Sequence, residues 1–100
     1  MPISPKMYDN MSQRERANLR GLYYRAQGGN CWYCGGPLWR EPVRDREVDE
    51  SMFPPNFFDH PVHLHHDKTT GLTVGAVHSY CNAVSFQYDE LPILKGANKW

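Results

Sequence analysis

Four side chains with metal-binding atoms occur in two pairs of identical spacing, Cys31-x-x-Cys34 and His78-x-x-Cys81. Three sulfurs and one imidazole make up the four soft or borderline ligands that tetrahedral Zn²⁺ prefers. Two glycines directly after the first pair allow the tight turn of a zinc knuckle over residues 31–37. The alternatives are buried free thiols beside an unrelated Cys-x-x-Cys, and a redox dithiol. We expect a structural zinc ion on these four residues.

A second cluster, His-Leu-His-His-Asp, occupies residues 63–67 and contains three histidines within four positions. Histidine offers a neutral nitrogen to a metal ion and a pKa near neutrality for proton transfer. Asn82 directly follows the predicted ligand Cys81, so a zinc ion would hold it beside this cluster. Neighbouring strand residues point to opposite faces, so His65 and His66 can serve one site only if the strand ends or twists there. The alternatives are a second structural metal site and incidental surface histidines.

A helix over residues 12–27 is predicted to precede the knuckle. Ser12-Gln-Arg-Glu15 has the form of a capping box, and the pair Gly28-Gly29 is a typical C-terminal stop. The apolar residues at helical spacing are Leu19, Leu22, Tyr23 and Ala26. On a helical wheel, Arg14 and Arg25 flank one side of this stripe, and Arg16 and Arg20 flank the other. Because the arginines form no single basic face, we expect this helix to act mainly as scaffold.

The remaining elements are a loop, a hairpin and a second helix. Residues 40–61 are charged and then proline-rich, which predicts a loop or a poorly ordered insertion, with a plain surface excursion as the favoured interpretation. The predicted hairpin has strands over 62–66 and 72–77, with Leu72, Val74 and Ala76 on one face, and a turn over 67–71. Tyr80, Val84 and Tyr88 then repeat at four-residue spacing, with Ser79 as N-cap and Pro92 ending the pattern.

Length and composition limit the classes of protein. One hundred residues, with 11 basic and 11 acidic side chains, allow one domain over residues 1–100. The core of so small a domain is small, so we expect an additional stabilising crosslink. Three cysteines form no closed disulfide framework, and neither a signal peptide nor about 20 consecutive apolar residues is present. We expect a soluble, cytoplasmic protein with no membrane partner.

The net charge of zero conceals an uneven distribution. Residues 1–40 have a net charge of +4, residues 41–67 a net charge of −5, and the remainder +1. A nucleic-acid partner usually shows as an excess of Lys and Arg, whereas scattered solvated charges are equally compatible with this pattern. Charge alone therefore does not decide whether the protein binds DNA.

Three segments together resemble the ββα-metal nucleases, also called HNH or His-Me finger nucleases, and most closely their recombination endonuclease VII branch, found largely in phages. The segments are Tyr24-Arg-Ala-Gln-Gly-Gly-Asn-Cys-Trp-Tyr-Cys34, His63-Leu-His-His-Asp-Lys-Thr-Thr-Gly71 and Gly75-Ala-Val-His-Ser-Tyr-Cys-Asn82. The last two are similar to the family pattern Asp-His-Asp-His-x-Thr-Gly followed by Gly-Leu-Leu-Cys-x-x-Cys-Asn. The resemblance runs from about residue 14 to residue 86.

The resemblance implies an α+β fold, namely a small zinc-stabilised, treble-clef-like ββα-metal domain with an N-terminal helix and its core over residues 62–89. It implies a DNA endonuclease in which His66 is the general base, and His65 and Asn82 bind one catalytic divalent ion. That ion is expected to be Mg²⁺ or Mn²⁺, with Ni²⁺ or Zn²⁺ as alternatives. The resemblance assigns structural zinc to Cys31, Cys34, His78 and Cys81. For a phage-encoded protein, the location would be the cytoplasm of the host cell.

Three positions depart from the family pattern. His65 replaces the usual Asp, which favours softer ions; Lys68 replaces a His and is a candidate phosphate contact; and Val74 replaces an Arg. A non-catalytic treble-clef zinc module that binds DNA or a protein is therefore the alternative function. Because only a short tail (residues 90–100) follows the last helix, we expect a monomer that nicks one strand. Within that tail, Leu91-Pro-Ile-Leu94 and Trp100 either dock on the core or form a dimer contact.

Overall fold

A computed structural model describes residues 3–90 of the chain. The elements are α1 (Gln13–Ala26), β1 (Val62–His66), β2 (Thr73–His78) and α2 (Ser79–Val84), which continues as a π-helical segment, Ser85–Glu90. Tyr8–Asn10 and Glu50–Met52 are single 3₁₀ turns. The α+β class predicted from the sequence is confirmed. No helix among residues 3–90 has the length and apolar content needed to cross a membrane.

Helix α1 begins with the predicted capping box. The Ser12 hydroxyl accepts from the Glu15 amide at 3.1 Å, and the Glu15 carboxylate accepts from the Ser12 amide at 3.0 Å. Of the predicted apolar stripe, Leu19 and Tyr23 are buried, whereas Leu22 is 46% exposed. The buried face is narrower than predicted because α1 packs on the two strands along one side, while Leu22 faces away from them.

The hairpin pairs β1 with β2 in an antiparallel register, with Val62 opposite His78. The pairing shifts between His65 and His66. The strand is therefore irregular at the position where a shared site for these two histidines was predicted to need it. The second strand begins one residue later than predicted. Leu72, which was predicted to open it, instead pairs with Met7 of the N-terminal segment. That segment crosses the end of the hairpin, where the Tyr8 amide donates to the Gly71 carbonyl.

The prediction that Ser79 caps the last helix is wrong. His78 is the N-cap residue, in extended conformation and without a side-chain capping bond, and Ser79 is already helical. Of the predicted stripe, Tyr80 and Val84 are buried but Tyr88 is 42% exposed, because the change from α to π winding after Val84 alters the helical phase. Pro92 and the predicted contacts of residues 91–94 and Trp100 lie outside the described residues.

Residues 40–61 form a mostly exposed loop, as predicted, but the loop is not a plain surface excursion. Phe53 is buried at 7% exposure and packs with Ala83 and Phe86, and Phe57 and Phe58 adjoin this cluster. Nearer the knuckle, the backbone of residue 46 exchanges two hydrogen bonds with the Tyr80 hydroxyl, at 2.9 and 2.6 Å. The loop is therefore fastened to the last helix by aromatic packing and by backbone hydrogen bonds.

Strand β2 is approached very closely from the side of the knuckle. A Cβ atom added at Gly75 would lie 2.8 Å from the Gln27 Oε1 atom and 2.9 Å from the Trp32 side chain. The Gln27 amide exchanges two hydrogen bonds with the Ala76 backbone, and the Trp32 amide donates to the Ala76 carbonyl. The end of α1 and the knuckle thus dock on β2 where only glycine fits.

Gly75→Ala is expected to destabilise the protein by about 1–3 kcal/mol, because the added methyl group must displace packed neighbours. Gly21→Ala is the matched control, since an added Cβ there meets nothing within 4 Å. Gly21 lies inside α1, so alanine should stabilise the helix by about 0.5–1 kcal/mol. Thermal unfolding of both variants with zinc present measures the difference. A Gly75→Ala variant as stable as wild type would contradict this account of the close approach.

Candidate functional site

Four predicted ligands, Cys31, Cys34, His78 and Cys81, come together although 43 residues separate the two pairs. Their ligand atoms all lie within 4.8 Å of one another. The His78 Nδ1 atom is 3.6 Å from the Cys34 sulfur and 3.5 Å from the Cys81 sulfur. Such a group can hold a metal ion.

The spacing of these atoms fits zinc. Tetrahedral zinc with bonds of about 2.3 Å to sulfur and about 2.0 Å to nitrogen places those two atoms about 3.5 Å apart. The other His78 nitrogen, Nε2, lies 2.9 Å from the carbonyl oxygens of both Pro37 and Arg40. Carbonyl oxygens only accept, so Nε2 must have the proton, which leaves the Nδ1 lone pair directed at the sulfurs.

The knuckle orients the first two sulfurs through its own backbone. The Asn30–Pro37 bridge closes the turn, and the Cys31 amide donates to the Gly36 carbonyl. The amides of Tyr33 and Cys34 approach the Cys31 sulfur at 3.3 and 3.5 Å. Interaction with the Cys81 thiol, helped by nearby backbone amides, lowers the pKa of the Cys31 thiol to about 4. The Cys81 thiol and the backbone amides of the knuckle therefore both favour the thiolate at Cys31, which is the form that binds a metal ion.

Asn82 is adjacent to the fourth ligand and bridges two histidines of β1. Its Oδ1 atom lies 2.8 Å from the Nδ1 atom of His65, and its Nδ2 atom lies 3.0 Å from the Nδ1 atom of His63. The two histidines are two residues apart on the strand, so both point to the same face. Burial lowers the pKa of both imidazoles, that of His63 to about 4. Both rings are therefore neutral at neutral pH.

The contact between His65 and Asn82 is compatible with one shared divalent ion. Two neighbouring ligands of an octahedral ion, each about 2.1 Å from it, are about 3.0 Å apart. The distance of 2.8 Å between Nδ1 and Oδ1 is close to that value. In this structure the contact is a hydrogen bond that His65 Nδ1 donates, because the amide oxygen only accepts. An ion between the two atoms would require the His65 tautomer with its proton on Nε2, and the pair would then suit an ion that accepts mixed nitrogen and oxygen ligands.

His66 occupies a different environment from the other two histidines. Its ring stacks on Tyr8 with centroids 3.9 Å apart, and the Arg16 guanidinium covers the opposite face of Tyr8 at 3.9 Å. The Lys68 Nζ atom lies 3.3 Å from the His66 Nε2 atom. Burial, followed by the charge of Lys68, lowers the pKa of His66 to about 4. His66 is thus a neutral imidazole in a fixed orientation.

A cavity of about 490 Å³ opens beside this histidine. Its lining includes His63, His66, Lys68, Asn82, Arg16 and Arg20. Among residues 3–90, no acidic side chain belongs to that lining. Three cationic side chains around a neutral imidazole and an amide make this cavity suitable for a phosphate group.

The structure brings some of the predicted site residues together and separates others. Asn82 contacts His65 and lines the same cavity as His66. His65 does not line that cavity; it lines a second one, together with Trp32 and Val74. Asn82 is therefore the residue common to both parts of the site. Val74, at the position where the family pattern has Arg, lies beside His65 rather than beside His66.

Sequence reasoning missed three contributors. It treated α1 as scaffold, yet Arg16 and Arg20 of that helix line the cavity. It assigned no role to Tyr8, which stacks on His66. It included His63 in the histidine cluster but assigned this residue no separate role. The helical wheel of α1 did place Arg16 and Arg20 on the same side of the helix. That shared side was the signal in the sequence that could have indicated their common position. Nothing local in the sequence indicates that Tyr8 stacks on a histidine 58 positions later.

Comparison with known proteins identified no relative of this chain. No protein-family model, curated protein or solved structure matches this chain.

Proposed function

We propose that this protein is a metal-dependent DNA endonuclease with the ββα-metal fold. The observation that supports this proposal best is the position of Asn82, which directly follows Cys81, contacts His65 and lines the same cavity as His66. An ion ligand pair, a neutral base and a cationic cavity are the components that phosphodiester hydrolysis needs. A zinc ion on the Cys31, Cys34, His78 and Cys81 group would keep these components in place.

In the proposed reaction, His66 takes a proton from a water molecule as the water oxygen attacks phosphorus. The bond between phosphorus and the 3′ oxygen breaks, and that oxygen leaves and takes a proton from solvent. The products carry 5′-phosphate and 3′-hydroxyl ends. A divalent ion on His65 and Asn82, with Mg²⁺ or Mn²⁺ as first candidates, supplies positive charge to the scissile phosphate and the leaving oxygen.

Lys68 must change its partner for this reaction to occur. In the structure its ammonium group faces the His66 Nε2 atom, which is the nitrogen that would receive the proton. An incoming phosphate offers Lys68 a charged acceptor, which is stronger than a neutral imidazole. We therefore expect the substrate to draw Lys68 away from His66.

Arg20 is expected to contact a phosphate. Arg20→Ala should weaken duplex binding and lower the slope of log affinity against log salt concentration by about one unit. The matched control is Arg25→Ala, since Arg25 is exposed on α1 and is not part of the cavity lining. Fluorescence anisotropy of a labelled duplex without divalent ions, repeated over a range of salt concentrations, measures both effects. Equal slopes for the two variants would rule out this contact.

The second candidate function, a zinc module that binds DNA or a protein without cutting, is favoured by the same Lys68 contact. If Lys68 stays on His66, the base remains blocked and the cavity only binds. A labelled duplex incubated with the zinc-loaded protein and Mg²⁺, Mn²⁺ or Ni²⁺ separates the two functions. The nuclease predicts nicks that DNA ligase reseals, whereas retention of intact duplex supports the binding module.

We also propose that the protein acts as a monomer and nicks one strand per event. All the proposed catalytic and ion-binding residues come from one chain. Sedimentation of the zinc-loaded protein tests this statement, and a stable dimer would contradict it.

A further inference from the structure

We propose that His63 is a positioning residue that fixes the amide of Asn82, so that its oxygen rather than its nitrogen faces the ion site at His65. This inference rests on the proposed function, since it concerns the same ion. It starts from the two opposed contacts of one amide group: Nδ2 to His63 at 3.0 Å and Oδ1 to His65 at 2.8 Å.

An asparagine amide has a donor end and an acceptor end of nearly equal size, and only the oxygen can bind a cation. Rotation by 180° would exchange the two ends and turn the NH₂ group toward His65. His63 opposes that rotation because its Nδ1 lone pair accepts from NH₂ and repels a carbonyl oxygen. Asn82 thus needs a neighbour that only accepts, and His63 in this tautomer is one.

The tautomer of His63 is itself supported by the loop over residues 40–61. The neutral His63 ring has one proton, and backbone groups of Phe57 and His60 hydrogen-bond to the ring. Because Nδ1 accepts from Asn82, that proton belongs on Nε2. The Phe57 ring meets the His63 ring edge to face, with centroids 4.6 Å apart. The loop therefore holds His63, His63 holds Asn82, and Asn82 presents its oxygen to the ion.

The test measures Mn²⁺ binding to zinc-loaded protein by electron paramagnetic resonance, in the absence of DNA. His63→Leu retains a side chain of similar size but removes the acceptor, and it should weaken Mn²⁺ binding about 10–100-fold. His63→Asn places an oxygen near the position of Nδ1, and it should recover most of the affinity. A purely space-filling role predicts the reverse order, with Leu tolerated better than Asn. Zinc content and the midpoint of thermal unfolding, measured for both variants, show whether the fold is retained.

Equal Mn²⁺ affinity in wild type and folded His63→Leu would overturn the inference. Wild-type protein that binds no ion besides zinc would overturn it too, together with the ion site of the proposed function. If Mn²⁺ binding depends on His63 as described but DNA stays intact, the inference stands and the nuclease proposal fails. The two failures are therefore distinguishable.

Discussion

Removal of the metal from the Cys31, Cys34, His78 and Cys81 group is expected to unfold the protein. Structural zinc binding in small domains corresponds to an apparent free energy of about 10–16 kcal/mol, whereas whole domains are stable by only about 5–15 kcal/mol. The group joins the knuckle to the start of α2, and Cys31, His78 and Cys81 are themselves buried in the core. Without the ion, the sulfurs would keep their long contacts with the His78 ring and with backbone amides, which are weaker than bonds to a metal ion.

Two approaches test this expectation. A strong chelator should abolish both the far-ultraviolet circular dichroism of the folded state and its cooperative thermal transition, and added zinc should restore them. His78→Ala should lose zinc and fold poorly, whereas His60→Ala, which removes an exposed histidine outside the group, should retain both zinc and fold. A metal-free protein with an unchanged unfolding transition would contradict a structural role for the ion.

His66→Ala is expected to reduce metal-dependent DNA cleavage by about 10²–10⁴-fold, which is the usual contribution of a general base. The variant should keep its zinc, because His66 is not one of the four proposed zinc ligands (Cys31, Cys34, His78 and Cys81). His66 packs on Tyr8 at the other end of the hairpin. Initial rates of duplex cleavage with Mn²⁺ measure the effect, and Arg25→Ala is the surface control. Cleavage by folded His66→Ala at the wild-type rate would exclude His66 as the base.

The zinc group and the hairpin could be predicted because their signals are local. Identical Cys-x-x-Cys and His-x-x-Cys spacings predict, without any knowledge of the fold, the four residues that the structure brings together. The alternation of β1, the Asp67 turn and the position of Asn82 after Cys81 are likewise readable within a few residues. An irregularity between His65 and His66 was predicted from the hypothesis that the two adjacent residues serve one site. The strand register does shift there, although the two side chains line different cavities.

The parts that escaped prediction depend on long-range packing. The stack of Arg16 on Tyr8 and of Tyr8 on His66 joins three separate segments, and neither propensity nor periodicity encodes such a contact. The loop over residues 40–61 has the composition of a surface loop. Burial of Phe53 against Ala83 of α2 nevertheless offsets the conformational entropy that the loop loses when it becomes ordered. The N-cap prediction at Ser79 failed because the helix already includes Ser79 and begins after His78, whose ring faces the Cys34 and Cys81 sulfurs and makes no capping bond.

The most direct test of the central claim is conversion of supercoiled plasmid by wild-type protein of verified zinc content. Mg²⁺, Mn²⁺ or Ni²⁺ is supplied in turn, with His66→Ala of equal zinc content beside it. The account predicts nicked circles from wild type with at least one of these ions, and intact supercoils from the variant. Intact supercoils from both proteins, although zinc is bound and DNA is retained, would contradict the nuclease and leave a DNA-binding zinc module.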